Sequence, residues 1–152
     1  MQRFSLGWLT DYRGRVTCGP VFAYGALYGG VYSLFVWVYE RSGLPGMPIA
    51  AIILNILVAI PLSALLVRRL HDQGRSGWWL LLTLPAYSLG LEKEWYRLNG
   101  DFEALLSPQP IWVNVIMVIG VLAFFGATFL PDDPETNRYG PNPRFGVPEP
   151  AT

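Results

Sequence analysis

Three stretches of this chain carry no charged residue over the length needed to cross a hydrocarbon core. They are PVFAYGALYGGVYSLFVWVY (20–39), IAAIILNILVAIPLSALLV (49–67) and IWVNVIMVIGVLAFFGATFL (111–130). A helix rises 1.5 Å per residue, so about 20 residues cover the roughly 30 Å of a bilayer core. A barrel strand would alternate apolar and polar residues over about ten positions, and these runs do not. A soluble fold would have to bury three whole helices in only 152 residues. The first run is too long for the apolar part of a signal peptide, and YERSG follows it where small residues would mark cleavage. A fourth run, GWWLLLTLPAYSLGL (77–91), is shorter. As an α-helix it reaches about 22 Å. It spans if Arg75 and Lys93 snorkel or if the helix continues to Tyr96, and Pro85 is expected to kink or loosen it.

Composition agrees. Charged residues make up 14% of the chain, against about 25% in soluble domains. Six Trp and eight Tyr suit a membrane–water boundary. Zero formal net charge gives no field for nucleic acid. A single Cys and a single His exclude an internal disulfide and a His/Cys zinc site within one chain. We therefore expect an all-α polytopic membrane helix bundle of four transmembrane helices, a single domain over 1–145, with 146–152 a flexible tail. No metal and no cofactor are expected.

Basic residues orient the bundle. With four spans, residues 1–19, 68–76 and 131–152 share one side, which receives eight of the eleven Lys and Arg. The positive-inside rule makes that side cytoplasmic, with both termini in. Arg3, Arg13, Arg15, Arg68, Arg69, Arg75, Arg138 and Arg144 then face six acidic residues there. Asp132 and Asp133 follow a helix C-terminus, where the helix dipole disfavours anions. We expect the tail to fold back as a polar cap, pairing Asp132, Asp133 and Glu135 with arginines of the loop and N-terminus. Tyr139 should bury its ring there and bond the loop through its hydroxyl. Phe4, Leu6, Trp8 and Leu9 suggest an interfacial anchor.

Three segments share that side: DYRGR (11–15), RRLHDQGRSGWWLLL (68–82) and NRYGPNP (137–143). In combination they resemble the DUF805 family, small bacterial inner-membrane proteins of unknown function. The resemblance covers nearly the whole chain. It implies a bacterial cytoplasmic (inner) membrane location and a topology, but no activity. Family members usually carry a second basic residue and a Trp after the first GR. Here Cys18 stands at the first position and Phe22 near the second, and segment 92–110 is longer than usual.

Several functional readings remain open. Arg68, Arg69 and Arg75 suit an anionic lipid headgroup, or serve topology and salt bridges to the tail. His71 and Asp72 could form an acid–base pair. Alternatively they close a helix, with Gly74 supplying an unusual dihedral and Ser76 an N-cap. Gly25 and Gly29 form a GxxxG suited to packing in the bundle or to self-association, with Tyr24, Tyr28 and Tyr32 beside them. Asn55 and Asn114 are placed to bond each other. The loop 92–110 suggests an interfacial helix or partner surface. No Asp, Glu, Lys, Arg or His interrupts the four apolar runs, which weighs against a transporter or channel component. The leading expectation is a non-enzymatic accessory protein that binds a membrane partner, a second copy or anionic lipid. Its candidate binding residues are Arg13, Arg15, Arg68, Arg69, His71, Asp72, Arg75, Asn137, Arg138 and Tyr139. A membrane enzyme acting on lipid headgroups is the remaining alternative.

Overall fold

The computed structural model describes residues 7, 10–42 and 47–144. Arg3, the anchor expected over Phe4, Leu6, Trp8 and Leu9, and the tail 146–152 lie outside the described residues. Helix α1 runs over Cys18–Ser42 and α2 over Met47–Asp72. A 3₁₀ segment, Gly77–Thr83, leads directly into α3, Leu84–Leu98. A short α4, Phe102–Leu106, precedes α5, Ile111–Phe129. Among the described residues the only strand-like pairing is an isolated bridge between Asn137 and Gly140.

Among the described residues, three helices are long and apolar enough to cross a membrane: α1, α2 from Pro48, and α5. Their large apolar side chains point outward on every helix, including Leu27, Leu34, Ile53, Leu57, Val118 and Leu122. A water-soluble domain would not expose so continuous an apolar surface. The buried core is small and lies at one end, where Val16, Val21, Leu65, Leu66, Leu70 and Ala127 pack together. Lipid-facing helices need only a thin protein core, because hydrocarbon solvates their outer faces.

The fourth run starts differently from the expectation but, as one of its alternatives had it, continues past Tyr96. It begins as a 3₁₀ helix, which rises about 2.0 Å per residue, and the helix continues to Leu98. Together the two segments reach about 36 Å. Pro85 does not kink a helix interior. It sits in the first turn of α3, where a missing N–H costs no helical bond. Ser76 caps the 3₁₀ segment by accepting from the Trp78 N–H, as expected. Leu98 lies at the far end, where its carbonyl accepts from the Tyr39 hydroxyl of α1. Residues 77 to 98 thus run from the core end toward the far end of the bundle.

The tyrosine stripe forms the seam between α1 and its neighbours. Tyr24 donates to the Val58 carbonyl at 3.2 Å, Tyr28 to the Asn55 side chain and Tyr32 to Glu94. Asn55 thus bonds Tyr28 and the Ala51 carbonyl, not Asn114, which turns back to the Gln109 carbonyl. Asn114 lies in the first turn of α5, whereas Asn55 faces α1. Nor do Gly25, Gly29 and Gly30 pack inside the bundle. Among the described residues, nothing beyond the helix's own neighbouring backbone lies within 4 Å of a Cβ built on any of them.

Candidate functional site: a buried arginine–carboxylate cap

The N-terminal segment, the turn after α2 and the segment after α5 meet at the core end. The Val16 N–H donates to the Arg68 carbonyl, and the Asp133 N–H donates to the Asp72 carbonyl at 2.7 Å. Both tie chain ends to the last turn of α2. Gly74 makes the sharp exit from that turn possible. It has φ +71°, which side chains rarely adopt, and the Asp133 carboxylate lies 3.3 Å from where a Cβ would sit.

Asp72 is the centre. Its side chain is fully buried between two guanidinium groups, with Arg15 Nε 2.9 Å from Oδ1 and Arg69 Nη1 2.6 Å from Oδ2. The two arginine side chains are only 1% and 3% exposed. Two cations and one anion leave a buried positive charge, and backbone carbonyls answer it. Arg15 also donates to the carbonyls of Asp72, Asp133, Glu135 and Gly140. Arg69 donates to the carbonyls of Thr128 and Leu130 at the end of α5. Gln73 adds donations to Gly126, Ala127 and Leu130. A helix C-terminus has four unsatisfied carbonyls and a negative dipole end. Arg69 and Gln73 meet both needs.

Asn137 Nδ2 donates to the His71 carbonyl and to the Asp133 carboxylate, and its Oδ1 accepts from the Tyr139 N–H. Paired backbone bonds between Asn137 and Gly140 close this turn. Asn142 holds the Asp133 carbonyl at 2.9 Å. The Tyr139 ring stacks on His71, with centroids 3.7 Å apart and planes 7° from parallel. The Arg138 guanidinium lies over the Tyr139 ring, 4.8 Å from its centroid. His71 Nδ1 is 3.1 Å from the Gly14 carbonyl.

The tail thus folds back, but by different contacts from those expected. Asp133 and Glu135 give Arg15 their carbonyls, not their carboxylates, because a guanidinium at the centre of a turn meets backbone first. Asp132 pairs with Arg144 of its own segment at 3.2 Å. Tyr139 joins through its ring. Among the described residues its hydroxyl makes no hydrogen bond to the loop. His71 and Asp72 point to different partners and do not bond each other through their side chains.

The ten candidate residues separate into two groups. Arg15, Arg68, Arg69 and Asp72 are buried, with His71, Asn137 and Tyr139 half-buried around them. Arg13, Arg75 and Arg138 are exposed on the rim. Arg75 lies 5.8 Å from the Trp79 ring. Gln73 and Asn142 escaped sequence reasoning, although both belong to the polar motifs that drew attention to the cap. Among the described residues, no three His, Cys, Asp or Glu side chains gather closely enough to hold a metal ion.

A second polar cluster occupies the far end. Arg97 grips Glu94 with two bonds, of 2.9 and 2.6 Å, and lies 3.5 Å from Glu40. Lys93 donates to the carbonyls of Ala104 and Leu105, closing the end of α4.

Outward apolar helices tied at one end by a buried polar lock define an integral membrane protein. The family follows from comparison. The family model described as "Protein of unknown function (DUF805)" matches residues 14–141. The chain is 32% identical over 135 residues to "Uncharacterized protein YiiR" of Escherichia coli strain K12, covering 88% of this chain and 86% of that one. The same figures hold for YiiR of Escherichia coli O157:H7. This chain belongs to the DUF805 family. The matched region begins at Gly14 and ends at Pro141, so it closes on the two segments that the cap joins. No solved structure matches the chain.

Proposed function

We propose that this chain is a four-span protein of the bacterial cytoplasmic membrane, with both termini inside. In this proposal it is a non-enzymatic accessory protein that binds anionic lipid headgroups at the rim of its cap. One observation carries the reading: the arginines divide sharply between lock and rim. Arg15 and Arg69 spend their donors on Asp72 and on carbonyls, which makes them scaffold. Arg13, Arg75 and Arg138 are exposed around that scaffold. Trp78 and Trp79, beside Arg75, are 76% and 54% exposed and suit the headgroup layer. Each basic residue near an anionic surface contributes about 1 kcal/mol. The gathering of residues 14–16, 68–76 and 131–144 at one end supports an even number of crossings.

A second reading is association with another membrane protein or a second copy through α1. It is favoured by the uncovered faces of Gly25, Gly29 and Gly30.

Native mass spectrometry of gently extracted protein tests the first reading. Wild type should retain anionic phospholipid adducts, and the variant R13Q/R75Q/R138Q should lose most of them. Cysteine accessibility at the termini must first show the same orientation for both. Equal adducts on both proteins would sink the rim as a headgroup site.

A further inference from the structure

A cavity of about 420 Å³ lies between α2, the 3₁₀–α3 segment and α5. It falls in the half of the bundle nearer the cap, and the lock does not use it. Two close approaches frame it. A Cβ on Gly77 would meet Val67 Cγ1 at 2.8 Å, and one on Gly120 would meet the Ala86 Cβ at 2.5 Å. The 3₁₀–α3 segment is thus pressed onto α2 at one point and onto α5 at another. Between those points the helices stand apart.

The walls say what could fill the gap. They are almost wholly apolar, with Ala59, Leu62 and Phe124 among them. The three hydroxyls that reach the walls are already engaged. Ser63 bonds the Ile60 carbonyl and Tyr12, Thr83 the Leu80 carbonyl, and Tyr87 the Asn55 carbonyl. A resident water needs two to four polar partners, which this cavity does not supply. An empty cavity would forfeit dispersion contacts along its walls. Leu84, Tyr87, Val121 and Phe125 line it and are themselves exposed on the outer, apolar surface, so it opens sideways. Its size is within the range of small-molecule sites. Tyr12, hydrogen-bonded to Ser63 at 2.8 Å, ties the wall to the residue beside exposed Arg13.

We propose that this cavity is a lipid site that takes one acyl chain of a membrane phospholipid. The chain enters laterally and lies along α2. The placement of its headgroup beside Arg13 rests on the rim reading given above, while the chain site stands on the cavity alone.

The test is photo-crosslinking in nanodiscs with phospholipid carrying a diazirine in its acyl chain, as a zwitterionic and as an anionic probe. Labelled positions are mapped by mass spectrometry. The full chain should be labelled at residues 59–66 and 120–125 at least fivefold more, per residue, than on the exposed α1 face at Leu27 and Leu34. Ala59→Trp should bring that excess down to the α1 level while the protein stays monodisperse. Val121→Trp, at the mouth, serves the same purpose if the first variant does not fold. Labelling no greater in the cavity than on α1, or an excess that neither tryptophan lowers, overturns the site. Cavity labelling by both probes with no anionic preference keeps the acyl-chain site and removes the headgroup reading. Adducts that depend on the rim arginines without cavity labelling do the reverse.

Discussion

The two ends of the bundle hold their charges in opposite ways. At the cap, Asp72 is sealed with Arg15 and Arg69, and backbone carbonyls accept further guanidinium N–H bonds. At the far end, the Arg97 and Glu94 side chains are 34% and 20% exposed, and Glu40 is mostly in the open. Removing one partner of a buried ion pair leaves an uncompensated charge and costs about 3–5 kcal/mol. An exposed pair is worth about 0–1 kcal/mol. The cap should therefore behave as a single cooperative unit and the far end as a set of separable contacts.

Asp72→Asn puts the largest strain on that contrast. The amide keeps the shape but turns an N–H toward a guanidinium and removes the only carboxylate between two cations. We expect a loss of about 3–5 kcal/mol. Amides of residues 131–144 should lose their exchange protection together in a membrane mimetic. Protection that falls only next to residue 72 would show that the cap is not one unit. Glu94→Gln is the matching change at the far end. It weakens the grip on Arg97 and the bond from Tyr32, at about 1 kcal/mol given the partial exposure. Exchange in α3 near Leu98 should quicken while the cap amides stay unchanged, since distant sites add independently.

How much could be read beforehand follows the same division. The spans were legible because hydrocarbon demands unbroken apolar length, and that requirement is local to each run. The meeting of the three polar segments was legible from the expected four crossings, which would put them on one side. The individual bonds were not. Arg15 reaches Glu135 and Gly140 across more than a hundred residues, and it takes their carbonyls, which every residue has and no sequence pattern marks. Gln73 serves α5 by the same kind of backbone contact. The 3₁₀ start of the fourth run was also hidden. Its period differs little from 3.6 over seven residues, and a pattern of Trp and Leu does not distinguish them. The candidate residues meet at one end of the bundle, but their sequence pattern did not separate lock from rim, since burial depends on which carbonyls arrive.

The smallest effect belongs to a contact that lies in the cap segment yet resembles the far end. Arg144 is 51% exposed and pairs with Asp132 at 3.2 Å. Desolvation alone would raise the Asp132 carboxyl, but its own N–H, Arg144, Asn142 and Arg69 outweigh that and hold it below the ordinary carboxylate range. A depressed carboxyl contributes stability above its unfolded value and loses it as pH falls through the folded one. Arg144→Gln should thus cost under about 1 kcal/mol near neutrality, and less at high salt. The unfolding midpoints of wild type and variant should converge as the pH falls below the ordinary aspartate value of about 4 in the unfolded chain and on through the lower folded one. A gap that persists at low pH would mean that Arg144 supports the cap by packing and not by charge. A cost approaching that of Asp72→Asn would extend the cooperative lock to the outermost turn of the tail.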